Sequence, residues 1–97
     1  MRERDIEARC RRLAEAEGGR MYKWVCPGWD GVPDRILILP GGYLAFVEFK
    51  APGKSPTAQQ QRRHQELRDL GQTVYVVDSV EAFREILRKV EHEPWEV

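Results

Sequence analysis

Two strongly apolar segments joined by a glycine-rich tripeptide most constrain the fold that this chain can adopt. The segments are Arg35–Leu39 and Tyr43–Phe49, and Pro40-Gly41-Gly42 connects them. Runs of aliphatic and aromatic residues are typical of strands, and a three-residue connection containing glycine is typical of a β-hairpin. The sequence therefore predicts a two-stranded hairpin near the middle of the chain.

The segments around the hairpin predict three helices and two further strands. Apolar residues recur at helical spacing near the start and end of the chain, and glycine and proline separate the elements. This alternation predicts an α/β fold, a mixed β-sheet with a central hairpin flanked by helices. The expected order is helix 2–17, strand 21–25, loop 26–33, the hairpin, helix 56–70, strand 73–77 and helix 79–90.

Length and composition favour one small domain. The chain has 97 residues, of which 41% are hydrophobic and 33% charged, so we expect a single domain over residues 1–97. No apolar run approaches the ~18–20 residues of a membrane helix, and the N-terminus lacks a signal-peptide core, which predicts a cytoplasmic protein without a membrane partner. Cys10 and Cys26 form no metal-binding or redox motif, and we expect both to be reduced core residues.

The charge is distributed unevenly along the chain. Residues 1–77 hold 13 Lys and Arg against 10 Asp and Glu, whereas residues 78–97 hold 3 against 6. A mildly basic body is compatible with a nucleic-acid partner. Charges scattered over a solvated surface explain the same pattern equally well.

The hairpin predicts a cluster of charged residues at one of its ends. Symmetric pairing about Gly41 places Asp34 opposite Glu48, and the two-residue period of a strand puts Lys50 on the face of Glu48. Directly opposed like charges destabilise a sheet unless a positive group lies between them. The other end of that face is apolar, with Ile36, Ile38, Leu44 and Phe46, so we expect the charged cluster at the mouth of a core.

Two carboxylates on a rigid hairpin indicate a site for a divalent cation. Mg²⁺ and Mn²⁺ prefer oxygen ligands and take one or two protein carboxylates, so Asp34, Glu48 and the Phe49 carbonyl are the candidate ligands. A cation held there would polarise a phosphoryl oxygen, and Lys50 would orient the nucleophile or offset developing charge, which is the chemistry of phosphodiester hydrolysis. Glu7, on the inward edge of the first helix, is a candidate for a second, weaker metal position.

The alternative for these residues is structural. A lone Glu-x-Lys triplet on a strand is usually a surface ion pair. The opposition of Asp34, the tight turn at Gly31-Val32-Pro33 and the position of Glu7 favour the catalytic interpretation.

At these residues the sequence resembles a family. Glu7, Gly31-x-Pro33-Asp34, Glu48-x-Lys50 and a helical Gln60 are similar in type and order to the VRR-NUC family, a branch of the PD-(D/E)xK nucleases with a restriction-endonuclease-like fold. The resemblance implies a Mg²⁺- or Mn²⁺-dependent DNA endonuclease in which Asp34, Glu48 and Phe49 bind metal and Lys50 is catalytic. Small stand-alone members from phages and bacteria resemble Holliday-junction resolvases and act as homodimers. The resemblance therefore implies a homodimer that cuts four-way junctions in a bacterium or in a phage-infected host.

The same resemblance assigns supporting roles. It implies that Glu7 and Gln60 complete the catalytic pocket, and it marks His64 as a departure, since an apolar residue is more usual on the inner side of that helix. A nuclease also needs cations to hold the phosphate backbone. The candidate DNA-binding residues are Lys54, Arg62, Arg63, Arg9, Arg12, Arg20 and Lys23.

Several alternatives stay open at this point. Tyr22, Trp24 and Trp29 can stack on bases, but in a small domain they can equally be core or dimer contacts. The chain can also be a nucleic-acid-binding module without catalysis, a nuclease for flaps, nicks or duplex, or a structural partner in a larger assembly. A domain that only binds has no reason to keep two opposed carboxylates, which favours the nuclease.

Overall fold

The computed structural model describes residues 1–91, with the backbone alone at Glu91, and its elements follow the order predicted from the sequence. The end of the acidic segment predicted for residues 78–97 lies outside the described residues. The elements are α1 (Glu3–Ala16), β1 (Arg20–Lys23), β2 (Arg35–Leu39), β3 (Tyr43–Phe49), α2 (Ala58–Asp69), β4 (Val74–Val77) and α3 (Val80–Glu91).

The four strands form one mixed sheet in the order β1-β2-β3-β4. β2 pairs antiparallel with both β1 and β3, whereas β4 runs parallel to β3 and is reached through α2. Leu39 pairs with Tyr43 and Ile36 with Phe46, which is the register predicted from symmetric pairing about Gly41. The hairpin thus delivers Asp34 and Glu48 to the same end of the sheet.

One face of the sheet carries the hydrophobic core. Alternate residues of β2 and β3, such as Leu37, Val47 and Phe49, are fully buried there. α1 contributes Ile6, Cys10 and Ala14 at helical spacing, and α3 contributes a similar stripe that includes Phe83. Packing of these two helices on the sheet and on each other fixes the strands that carry the charged cluster.

The opposite face departs from the sequence-based expectation. We expected Ile36, Ile38, Leu44 and Phe46 to lead from the charged cluster into a core, but these side chains are only half-buried or exposed. The physical reason is that α1 and α3 both pack on the other face, whereas α2 covers this face only beside β4 and the end of β3. The charged cluster therefore lies between the sheet and α2, next to an open apolar surface.

Both cysteines are free thiols, as expected, but only Cys10 is a core residue. Cys26 is half-buried in the loop before β2. None of the helices in residues 1–91 is long and apolar enough to cross a membrane.

Candidate active site

Asp34 is held at the entry to β2 by a backbone hydrogen bond from the neighbouring strand. The Phe49 N–H donates to Asp34 Oδ2 over 3.0 Å, and the Asp34 carbonyl accepts from Trp24 N–H at 2.9 Å. In an antiparallel ladder the N–H and C=O of one residue point to the same side. The Phe49 carbonyl is accordingly directed to the side of the strand on which Asp34 lies.

Glu48 is a fully buried carboxylate with three polar neighbours. It is 1% exposed, and Gln60 Nε2 donates to its Oε2 over 3.2 Å. His64 Nε2 lies 3.4 Å from the other oxygen, Oε1, and the Lys50 ammonium lies 4.0 Å from Oε2. An acidic group is thus enclosed by donors from α2 and from Lys50, the residue that follows β3.

Burial and a like charge disfavour ionisation of Glu48. Loss of hydration, followed by the negative charge of Asp34 and hydrogen bonding between the two carboxyl groups, raises the pKa of Glu48 from 4.5 to about 8. Lys50 opposes this shift and Glu3 adds to it, but neither reverses it. Two carboxyl groups in contact with only one nearby ammonium form a site that gains from additional positive charge.

His64 is the residue that α2 buries. It is 1% exposed, and burial, together with the positive charges of Arg68 and Lys50, lowers the pKa of its imidazole below 6.5. The family resemblance marks His64 as a departure, since an apolar residue is more usual at this position. The structure instead places a polar ring directly against Glu48.

Gln60 has two functions because of its position in the first turn of α2. Its N–H and its Oε1 close a reciprocal capping box with Thr57, over 3.1 and 2.9 Å, while its Nε2 contacts Glu48. The cap orients the amide so that its donor end faces the carboxylate. The start of α2 and the charged cluster are therefore one connected unit.

Glu7 was expected to belong to the catalytic pocket, but the packing of α1 brings the charge of Glu3 to Glu48 instead. Glu7 Oε2 accepts from Arg35 Nε over 2.7 Å, so its charge is already paired within the structure. Glu3, one turn earlier, is the α1 carboxylate whose charge acts on Glu48. Sequence reasoning missed Glu3 because only the packing of α1 shows which of its turns lies nearest the charged cluster.

The charged cluster has a donor set that suits Mg²⁺ or Mn²⁺. Among the described side chains, residues 1–90, no three His, Cys, Asp or Glu groups converge as a ready-made metal centre. Asp34 and Glu48 supply two carboxylates, and the Phe49 carbonyl is a third oxygen on the same side. One or two carboxylates completed by waters are the usual protein share of a Mg²⁺ site. The chemistry of these donors, and the close approach of two acidic groups that disfavours ionisation of Glu48, fit a divalent cation.

Comparison with known proteins identifies the fold and the family. No family model matches the chain. A solved structure described as a VRR_NUC domain superposes with a TM-score of 0.82 at 33% identity, covering 93% of this chain and 95% of that one. The chain belongs to the VRR-NUC family.

A curated relative agrees with this assignment. The "Putative nuclease p44" of Acyrthosiphon pisum secondary endosymbiont phage 1 is 48% identical over 79 residues, which are 81% of this chain and 85% of that protein. The expectations of a VRR-NUC nuclease type and of an α/β restriction-endonuclease-like fold are confirmed.

The VRR-NUC fold brings some of the predicted residues together and separates others. Asp34, Glu48, Phe49, Lys50 and Gln60 converge in the charged cluster. Of the candidate DNA-binding residues, Lys54 follows the end of β3, and Arg62 and Arg63 lie on α2 near this cluster. The others lie on α1 or β1, and all are exposed: Arg9, Arg12, Arg20 and Lys23.

Arg63 differs from its neighbour Arg62 in its contacts. Its guanidinium donates to the Asp30 carbonyl, pairs with Glu66 at 3.0 Å and lies 4.9 Å from the centroid of the Trp29 ring. Arg62 and Lys54 form no ion pair within the described residues. Arg63 thus holds the loop before β2 against α2, whereas Lys54 and Arg62 are exposed.

The aromatic residues before β2 do not belong to the main core. Tyr22 and Trp29 are about half exposed, at 54% and 55%, and Trp24 packs on Phe46 with ring centroids 4.9 Å apart. Trp24 and Trp29 line an apolar cavity of about 200 Å³ between this loop and α2, together with Leu67 and Leu70. The core interpretation is wrong for Tyr22 and Trp29, because α1 and α3 cover the opposite face.

Proposed function

We propose that this chain is a Mg²⁺- or Mn²⁺-dependent DNA endonuclease that acts on branched DNA such as the four-way junction. The observation that carries the proposal is the buried carboxyl group of Glu48, opposed by the half-buried Asp34, with Lys50 beside them. A surface ion pair does not require a glutamate that is 1% exposed and close to the negative charge of a second carboxylate. Two acidic side chains brought close together are what a hydrolase needs to hold a catalytic cation.

Asp34, Glu48 and the Phe49 carbonyl would hold the divalent cation. When bound there, the cation would supply charge stabilisation for a scissile phosphoryl group and a more acidic water. Asp34 is positioned for this by the Phe49 N–H, and Glu48 by Gln60 and His64. Glu48 lies on β3, and Asp34 directly precedes the paired strand β2 and accepts a hydrogen bond from the Phe49 N–H of β3, so the sheet sets the separation of the two side chains.

Lys50 has the position expected of the catalytic cation. Its ammonium is 4.0 Å from Glu48 Oε2, and its side chain is only 15% exposed. In this partly buried setting a positive charge stabilises a negatively charged nucleophile, or the charge that develops on the phosphate, more strongly than it would in water. Lys54 and Arg62 would hold the flanking backbone phosphates.

The proposal includes a homodimer. Paired cleavage of a four-way junction needs two active sites related by two-fold symmetry. The open sheet face around Ile38 and Leu44 supports this arrangement, because monomers rarely leave a contiguous apolar surface uncovered. The phage source of the relative supports action in the cytoplasm of an infected bacterium.

The test is a cleavage assay with labelled four-way junction, flap and linear duplex in Mg²⁺, Mn²⁺ and EDTA. We expect metal-dependent cutting of the junction in preference to the duplex. Lys50→Ala should lower the cleavage rate at least ~100-fold, as expected when a charge that stabilises the transition state is lost. Its fold and its DNA affinity should remain.

The control is Lys54→Ala, which removes a nearby lysine without altering the charged cluster. It should weaken DNA binding in a salt-dependent way and leave the maximal rate intact. Undiminished cutting by Lys50→Ala would contradict the assigned role of Lys50. A folded wild type that binds DNA independently of metal and cuts none of the substrates would favour a binding module.

A further inference from the structure

The buried side chain of His64 is in contact with the buried carboxyl group of Glu48. Among the side chains that the structure describes, those of residues 1–90, the polar or charged ones that are buried are Glu48 and His64, each 1% exposed. Their closest atoms, His64 Nε2 and Glu48 Oε1, are 3.4 Å apart. The remainder of α2 is polar and largely exposed, so the helix directs its one fully buried side chain at the carboxylate of the site.

We propose that His64 is a positioning residue of the nuclease site, donating from Nε2 to Glu48 Oε1 and thereby fixing the plane of that carboxylate. This inference rests on the proposed function. Nε2 carries a hydrogen both in one neutral tautomer of imidazole and in imidazolium, so the donor role does not depend on titration of the ring. A carboxylate that binds a cation accepts hydrogen bonds only, which sets the direction of this one.

The need for a second donor follows from the torsional freedom of glutamate. The terminal torsion of Glu is broad, so a single hydrogen bond from Gln60 to Oε2 leaves the carboxylate plane free to rotate. His64 contacts the other oxygen and comes from the next turn of the same helix. Two donors spaced four residues apart on one helix hold both oxygens at once.

Burial alone would not require an imidazole at this position. An apolar side chain would fill the space beneath α2 without the cost of removing a polar ring from water. The contact with Glu48 offsets that cost and gives the ring a partner. His64 is assigned as a donor to Glu48 and not as a metal ligand, since its Nε2 is directed at Glu48 Oε1.

The experiment compares His64→Leu, which introduces an apolar side chain of similar size without a donor, with His64→Gln, whose amide nitrogen reaches the position of Nε2. Mn²⁺ affinity is measured by titration calorimetry, cleavage of a labelled four-way junction at saturating Mn²⁺ gives the rate, and thermal unfolding reports the fold. Removal of a hydrogen bond to a metal-binding side chain commonly costs about 10–100-fold in metal affinity or activity. We expect a loss of this size in His64→Leu and recovery to within a few-fold in His64→Gln.

A folded His64→Leu with the Mn²⁺ affinity and cleavage rate of the wild type would overturn the inference while the proposed function stands. His64→Met serves as a second apolar variant, because its flexible side chain adapts to irregular space. Failure of both apolar variants to fold at any Mn²⁺ concentration, with His64→Gln folded, would assign His64 a purely structural role and also overturn it. A wild type that neither binds Mn²⁺ nor cuts would overturn both the proposed function and this inference.

Discussion

At the scale of single residues, the most informative group is the Glu48 carboxyl. It combines complete burial with the neighbouring negative charge of Asp34, and both effects raise its pKa to about 8. The metal-free protein therefore holds a proton on Glu48 near neutral pH that the unfolded chain has released. Folding stability and the proposed cation binding would therefore be linked through this one group.

The raised pKa predicts how stability changes with pH. The folded state binds the Glu48 proton more tightly than the unfolded chain, so this contribution to stability is fully present below pH 4.5 and is lost as pH rises towards 8. His64, whose pKa is lowered, acts in the opposite sense only below pH 6.5. Between pH 6.5, above which His64 no longer contributes, and pH 8, the free energy of unfolding of the metal-free protein should fall by roughly 1–2 kcal/mol.

Urea unfolding at several pH values in EDTA measures this slope. Glu48→Gln is the matched control, since its amide does not titrate, and its stability should stay level over the same interval. Equal slopes in the two proteins would show that Glu48 does not carry the proton.

At the scale of secondary-structure elements, the start of α2 is coupled to the charged cluster. Gln60 caps the helix with Oε1 and contacts Glu48 with Nε2, so the same side chain stabilises an element and orients a functional group. The loop before β2 is fitted against this turn through Gly31, whose φ is +90°. A Cβ at Gly31 would lie 3.1 Å from the Gln59 carbonyl oxygen.

The capping arrangement predicts the effect of Gln60→Glu. A carboxylate can still accept from the Thr57 N–H, so the capping box and the stability of α2 should be retained. The donor to Glu48 is lost and a second negative charge is added beside it. We expect near-normal circular dichroism with cleavage reduced at least tenfold at limiting Mn²⁺.

Thr57→Ala tests the other function of the cap. It removes the side-chain oxygen that caps the helix and should cost about 1 kcal/mol of stability, while the Gln60 amide that donates to Glu48 is retained.

The loop contact predicts different costs for two glycine substitutions. Gly28 and Gly31 both have positive φ, +85° and +90°, but a Cβ at Gly28 meets nothing within 4 Å. Gly28→Ala should cost about 1 kcal/mol from backbone strain alone. Gly31→Ala should cost roughly 2 kcal/mol or more, because the loop must also move away from α2. Urea unfolding compares them, and equal costs would contradict the packing of the loop against Gln59.

At the scale of the whole molecule, the sheet has one covered and one open face. α1 and α3 bury the first, whereas the second exposes Tyr22, Ile38, Leu44 and Val76 beyond the part that α2 covers. The cross-strand register puts these residues on the same side as Glu48. A second copy of the chain seated here would cover the apolar surface and set two active sites in one particle.

The open face predicts a variant that separates association from folding. Ile38→Lys combined with Leu44→Lys places two cations at directly paired positions on this face, where desolvation and mutual repulsion oppose association. Analytical ultracentrifugation should show a dimer for the wild type and a monomer for the variant. Leu70→Lys, at a 76% exposed position on the end of α2, is the control and should remain dimeric. A monomeric wild type would contradict the proposed dimer.

The sequence by itself determined the hairpin register, the order of elements and the convergence of Asp34, Glu48 and Lys50. These properties follow from local rules: the two-residue period of a strand, the length of the Pro40-Gly41-Gly42 connection and the spacing of apolar residues along helices. Glu48 and Lys50 are close in sequence, and Asp34 is brought to them by one short turn. No long-range packing had to be known.

The tertiary structure decided which face of the sheet became the core and what surrounds Glu48. Both strand faces are apolar in sequence, so only the packing of α1 and α3 on one of them distinguishes core from open surface. The same packing pairs Glu7 with Arg35 and brings the charge of Glu3 to Glu48, while α2 directs His64 at the carboxylate. These contacts join residues that are distant in sequence, and their existence depends on how helices dock on the sheet, which local periodicity does not specify.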